Sequence, residues 1–568
     1  MNKKKIVLIA SIILILVIGS LGFIYFKQKK DSNVNDISSI DTSIDIDDGD
    51  EKVDWDSLDK KEITLSESLS ITSEGVYVLT GSISDGSITV NTKGNVKLIL
   101  NGVNIKNSSG PAIIIENSKN VVIETMENSE NSLEDGSNYK NSEYDGCIYS
   151  KDDLILQGSG VLNIKSNYGD AVVSHDDLKI ISGVYNITSH DDGIRGKDSV
   201  YILGGTFVID SEADGIKSTN DTDEGKGYIY IVNGDFTIKS NGDAIAATTK
   251  LIIDGGEFNI TTDGGSSSNT SAIARSFENS ESYDSTSSKG LKAGNNLVLN
   301  GGSFKINSRD DSIHSNGDVG IKKASVEISS GDDGIHADNN VVIESGTINI
   351  TKSYEGIEGK NISINSGDVS IVSSDDGINI SGGNDSSSMG GRPGQNGGMD
   401  ADSGGVLTIT GGKIYVDASG DGLDSNGSIV MSGGEVYVDG PVNNGNGALD
   451  YNASFNISGG SIIVVGSSGM AQTASSTSTQ ISIQYYLNGS YSDKLTIEDS
   501  NGEVVIEYSP KKSYQNVVFS SPNLKSNETY TLKVNGNSVG TITTSSIVNT
   551  NGNSNTGGRD GGQRGGRW

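Results

Sequence analysis

The sequence predicts an all-β chain: a right-handed parallel β-helix with a small C-terminal β-unit, preceded by an N-terminal transmembrane anchor. Three observations carry this prediction: a fixed period, short apolar alternation within each period, and glycine pairs between the alternating runs. The phrase His190-Asp191-Asp192-Gly193-Ile194-Arg195 returns as Ala213-Asp214-Gly215-Ile216-Lys217, Asp332-Asp333-Gly334-Ile335-His336, Tyr354-Glu355-Gly356-Ile357-Glu358 and Asp375-Asp376-Gly377-Ile378-Asn379. Looser copies stand at Asp243-Ala244-Ile245, Asp310-Asp311-Ser312-Ile313-His314 and Asp421-Gly422-Leu423. Gly193 to Gly215, Ser312 to Gly334 and Gly334 to Gly356 are each 22 residues. A unit this short cannot bury its apolar face alone, so it must stack on copies of itself.

Within each unit, runs such as Thr206-Phe207-Val208-Ile209 alternate with period two, which is the strand signature. Gly183 and Gly205, then Gly234 and Gly256, then Gly302 and Ala324 precede them, 22 residues apart within each pair, and supply the corners. The Leu-x-x-Leu-x-Leu frame of leucine-rich repeats is absent, and a β-sandwich has no reason to keep a fixed period.

The N-terminal residues read differently. Lys3-Lys4-Lys5, an apolar run from Ile6 to Phe26 and Lys27-Gln28-Lys29-Lys30 make residues 1–30 a signal anchor long enough to span a bilayer. The rest of the chain is then expected outside, on the cell surface, and secreted if the segment is cleaved. Residues 31–60 are acidic and Ser/Asn-rich, the composition of a flexible linker. The β-helix is expected over residues 61–469, with imperfect early repeats that cap its open end. About fourteen to sixteen regular coils at about 4.8 Å each make a rod of roughly 70 Å. Insertions at 262–288 and 382–405 break the period. Residues 470–545 read as a small all-β cap over the far end, and residues 546–568 as a disordered Gly/Arg tail.

The formal charge of −32 argues against nucleic acid or an anionic membrane surface as principal partner and favours bound cations. Stacking places the repeated acids in a column: Asp170, Asp192, Asp214, Asp243, Asp311, Asp333, Glu355 and Asp376, flanked by Asp191, Asp310, Asp332 and Asp375. Two carboxylates about 5 Å apart repel by roughly 1 kcal/mol in water and about 3 kcal/mol at an effective dielectric of 20. Arg195, Lys217, Lys292 and Arg309 offset part of that, and the acid excess is expected to exceed them. Oxygen ligands at flexible angles point to Ca2+, and a single cysteine leaves little room for soft sites. The competing reading is a solvated Asx-turn before each glycine; the paired Asp-Asp exceeds what a turn requires. His314 and His336 are expected to stack beside Asp311 and Asp333, and Cys147 to be a buried small residue.

The repeated coils, the insertion Ser386-Ser387-Ser388-Met389-Gly390-Gly391-Arg392-Pro393-Gly394 and the C-terminal β-unit resemble a clostridial family of extracellular β-helix carbohydrate-binding proteins. The resemblance covers roughly residues 60–545. It implies a pectate-lyase-like solenoid, similar in fold to polysaccharide lyases, with calcium along the helix and binding of cellulose or acidic polysaccharide such as polygalacturonate. By position it implies calcium at Asp191, Asp192, Asp214, Asp310, Asp311, Asp332, Asp333, Asp375 and Asp376. A monomeric binding protein is the expectation. A calcium-dependent lyase, with Lys217, Arg195 or Lys292 as base, and a structural adhesin are the alternatives.

Overall fold

The computed structural model describes residues 36–44, 53–267, 287–381 and 404–552. Each repeat contributes three short strands, and each strand pairs in parallel with its equivalent in the next repeat. One coil consists of Ile194–Gly196, Ser199–Ile202 and Thr206–Ser211. The next stacks on it with Ile194 opposite Ile216, Val200 opposite Ile229 and Phe207 opposite Phe236. Three parallel sheets result. The first runs from Leu69–Ile71 to Leu449–Tyr451, the second continues to Ser454–Ile457, and the third extends to Ser461–Gly466. This is the predicted solenoid of stacked parallel strands.

The alternation explains which face is inside. In Thr206–Ser211, Phe207, Ile209 and Ser211 are buried while Thr206, Val208 and Asp210 are exposed. One apolar cluster therefore runs through the coils from Leu65 to Val518, with Cys147 fully buried in it. Along the third sheet the aromatics form a stack: Phe207, Phe236, Phe258 and Phe304 follow one another with ring centroids 4.6–4.7 Å apart. Gly205 supports this stack from the corner before it. Its φ of 133° is a left-handed conformation, and a Cβ there would lie 3.1 Å from the Phe207 ring. Where Ala324 replaces the corner glycine, the positive φ moves one residue back to Lys323 (φ 58°).

The ends differ from expectation in two places. Within the stretch read as linker, Ile37–Ser39 forms a 3-10 turn capped by Asp36, and Ile37 and Ile40 are buried against Val298 and Val342. The tail was expected to lack structure from residue 546, but Val548–Asn551 pairs in parallel with Ser482–Tyr491. Buried Asn549 fixes that strand by donating to the Ser482 carbonyl, a bond the Asn-rich composition did not reveal. The cap itself joins the rod through Tyr514–Ser520, antiparallel to Ser461–Gly466, and has its own four-stranded sheet and core. The anchor segment 1–30 and the insertion Ser386–Gly394 lie outside the described residues. No helix among the described residues is long and apolar enough to cross a membrane.

Candidate metal centre at the acidic corner

The repeated acids lie at the corner where the third sheet turns back into the first. Each is tied to the coil that follows it: one oxygen of Asp170 accepts the Asp192 backbone N–H at 3.0 Å, Asp192 accepts that of Asp214 at 3.0 Å, and Asp214 that of Asp243 at 2.7 Å. The ladder continues from Asp311 to Asp333 (3.0 Å) and from Asp333 to Glu355 (3.2 Å). An aspartate before the Gly-Ile step thus does the work of a turn residue, but for its neighbouring coil rather than its own. A buried N–H that would otherwise lack a partner is satisfied by a charged acceptor, the stronger kind of bond.

The other oxygens meet cations over the first half of the column. Arg195 Nε lies 2.6 Å from Asp170, and its guanidinium also bonds Asp145. Lys217 bridges Asp214 (2.8 Å) and Asp192 (3.4 Å), and Lys292 reaches Asp243 at 2.9 Å. Lys289 stands in the column itself, as Lys289-Gly290-Leu291 in place of Asp-Gly-Ile, and its Nζ lies 2.9 Å from Asp310 and 2.8 Å from Asp311. The period alone exposes that substitution, because Lys289 falls in the frame of Asp243 and Asp311. Each of Asp170, Asp192, Asp214, Asp243, Asp310 and Asp311 thus has a basic partner, but Arg195, Lys217, Lys292 and Lys289 are shared among these six and Asp145, and burial together with neighbouring acids still pushes Asp170 up to about 8 and Asp192 up to about 6. Two trios nevertheless bring ligand oxygens within 4.8 Å of one another, Asp170–Asp191–Asp192 and Asp310–Asp311–Asp332.

The residue after each Ile forms a second file on the outer face of the first sheet: Arg195, Lys217, Ala246, Lys292, His314, His336, Glu358, Asn379, Asp424 and Asp450, paired coil to coil. Its sign changes along the rod from basic to acidic. His314 and His336 stack as expected, with centroids 4.9 Å apart and planes within 7°. His336 is fully buried, 2.9 Å from Glu358 and 3.5 Å from Asp333. Those two acids and His336 form a further compact trio, and Asp153, Asp176 and Asp177 form another at the next corner, where Lys226 lies 3.1 Å from Asp177.

Beyond His336 the cations run out. Asp376, Asp421 and Asp424 bring carboxylate oxygens within 4.8 Å of one another, and among the described residues no Lys, Arg or His pairs with them. Asp376 accepts the Asp421 N–H (2.6 Å) and Asp421 the Gly447 N–H (2.5 Å). Asn379 sits beside Asp424 in the file and donates its amide N–H to Glu355 at 2.8 Å. That bond orients the amide, and the buried Asn379 Oδ1 has no hydrogen-bond partner among the described residues. Burial, then Asp421, Asp424 and Asp375, push Asp376 up to about 9. Burial and the neighbouring acids push Asp424 up to about 7, and burial pushes Asp421 up to about 6. Glu355 is pushed up to about 8 by burial and Glu358. Asp376, Asp421 and Asp424 are half-buried, and carboxylates so crowded either hold protons or share a cation. The donor set, three carboxylates and one amide oxygen without nitrogen or sulfur, suits a hard divalent ion. Of these residues the repeat pattern singled out only Asp376 as a ligand; Asn379, Asp421 and Asp424 were visible as Gly-Ile-Asn and Asp-Gly-Leu-Asp in the same frame.

A curated relative from Acetivibrio thermocellus described as a carbohydrate-binding domain-containing protein is 31% identical over 195 residues, 33% of this chain and 65% of the relative. A solved chain described as a polysaccharide lyase-like protein from C. thermocellum, a gadolinium derivative, is 30% identical and covers 36% of this chain and 91% of its own length, with a TM-score of 0.35. The family model for carbohydrate-binding domain-containing proteins matches residues 66–334 and 332–498, which is most of the chain, and the chain belongs to that family.

Proposed function

We propose that this protein is an extracellular, membrane-anchored rod that binds acidic polysaccharide through Ca2+ held at the Asp376–Asp424 corner. Family membership supports carbohydrate as the ligand class. The observation that carries the metal is the crowding of three carboxylates, without a basic partner among the described residues, beside an Asn379 oxygen that likewise has no partner among them. Asp376, Asp421, Asp424 and Asn379 would hold the ion. Bound there, calcium supplies the positive charge that a uronate carboxylate needs in order to approach so acidic a surface. The apolar run Ile6 to Phe26 between lysines supports anchoring.

A lyase would need one of its basic side chains neutral, ready to take a proton. Arg195 and Lys217 are poor candidates: burial opposes their charge, but Asp170 and Asp145, and Asp192 and Asp214, reverse this and raise both above their ordinary values. Lys292 is ion-paired to Asp243. Binding without cleavage is the better reading.

The test is retention of the full chain on immobilised polygalacturonate with calcium or chelator, while ultraviolet absorbance monitors unsaturated product. Calcium-dependent retention without product is expected, and it should be lost in the Asp421→Asn, Asp424→Asn double variant. Product formation abolished by Lys217→Ala would establish the lyase. Neither retention nor product would leave the rod as a structural adhesin.

A further inference from the structure

The outer face of the second sheet carries a short apolar stripe, Val298 and Val342 with Gly320 between them. Residues 36–44 lie on it. Ile37 and Ile40 pack on the two valines, and all four are buried. Gly320 makes the room: a Cβ there would lie 2.7 Å from Ile37 and 2.9 Å from Ile40. Polar contacts lock the segment at its far end. Lys250 Nζ lies 2.9 Å from the Asp41 carboxylate and donates to the Ser43 carbonyl at 2.6 Å, while Asn296 donates to the Asp41 carbonyl at 2.9 Å. Apolar anchors, a glycine cradle and a terminal ion pair, more than 200 residues away in sequence, form a fitted seat rather than a chance contact.

The seat's position has a geometric consequence. Every coil runs from first sheet to second to third, and the acidic corner joins third to first. The second sheet is the one face that does not border that corner. The seat also lies far along the rod: Lys250 is eight strand-steps from the opening strand Lys60–Leu65, about 38 Å at about 4.8 Å per step. Residues 45–59 reach at most about 50 Å, so one chain can occupy its own seat.

We propose that residues 36–44 are a strap that fixes the N-terminal arm to the second sheet, so that the surface holding the N-terminus faces this sheet and the acidic corner points away from it. The rod is thereby held alongside that surface by its flank instead of standing on its first coil. The orientation rests on the membrane-anchored reading; the docking of the strap does not.

Two measurements on the full chain separate these. In detergent, amide hydrogen exchange of residues 37–43 should be slow in the wild type and accelerate about tenfold or more in Gly320→Val, which fills the seat, and in Ile40→Asp, which empties it. Exchange at free-peptide rates in the wild type overturns the strap. In phosphatidylcholine vesicles carrying a headgroup acceptor dye, a donor on Val430→Cys (second sheet) should transfer energy more efficiently than one on Asp191→Cys (acidic corner), and Gly320→Val should abolish the difference. Equal or reversed transfer overturns the orientation. Failure of the chain to stay with the vesicles overturns the anchored reading and the orientation with it, and the exchange measurement then decides the strap by itself.

Discussion

The Lys289 ammonium lies 2.8 Å from Asp311, and Lys289 occupies the very position where the adjoining coils carry an acid. Both side chains are buried. Burial would raise the Asp311 carboxyl, but Lys289 and His314 overcome it and hold Asp311 well below the ordinary range. Removing one partner of such a pair strands the other charge, at about 3–5 kcal/mol. Lys289→Met should therefore lower the urea midpoint strongly, and adding Asp311→Asn should recover much of the loss. An unchanged midpoint in Lys289→Met would show that the pair is not buried as described.

Calcium should stabilise the rod locally. At a hundredfold excess over its Kd, an ion bound only to the folded state adds about 2.7 kcal/mol. The rise in melting temperature on adding calcium should vanish in Asp421→Asn, Asp424→Asn and survive in Asp192→Asn, whose carboxylate already meets Lys217 and a backbone N–H.

Phe236 is sandwiched between Phe207 and Phe258 at 4.7 and 4.6 Å. Phe236→Ala opens a cavity in the stack and should cost about 3–5 kcal/mol. Because each coil contacts only its neighbours, hydrogen exchange should rise in the adjoining coils first and leave the C-terminal cap protected.

His336 sets a pH dependence of known sign. Burial alone would lower it, but Asp333 and Glu358 push it up to about 12 from 6.5. Glu358 lies closer and is itself lowered by His336, so it carries the matching negative charge. A folded value above the unfolded one means that this contribution is complete below about 6.5 and disappears as pH rises through about 12. Nitrogen NMR should find a doubly protonated imidazole at pH 8. A neutral ring at that pH would refute the pairing, and His336→Gln should remove the alkaline part of the stability profile.

The parallel stacking of strands was legible because period and alternation determine it, whereas the alternation alone left two or three strands per repeat open, and the stack of Phe207, Phe236 and Phe258 emerges only once the coils are aligned. The column of acids was legible for the same reason. Its chemistry was not, because what an Asp does depends on the residue one coil away. Asp192 and Asp376 look alike in sequence, yet Lys217 faces one and Asp421 and Asp424 surround the other. The docking of Ile37 and Ile40 is not legible in the sequence, for a different reason. Two isoleucines in an acidic, Ser-rich stretch show no periodicity, and their seat is assembled from residues some 260 to 300 positions later.

The antiparallel strand Tyr514–Ser520 reverses the direction of pairing at the end of the third sheet. A further parallel turn has nothing to template on there, and at the opposite extremity Lys60-Lys61-Glu62 presents charge to any incoming backbone. For the third sheet the change of direction is a stop: its last rod strand is already occupied by Tyr514–Ser520, and another parallel coil cannot be added to it in register.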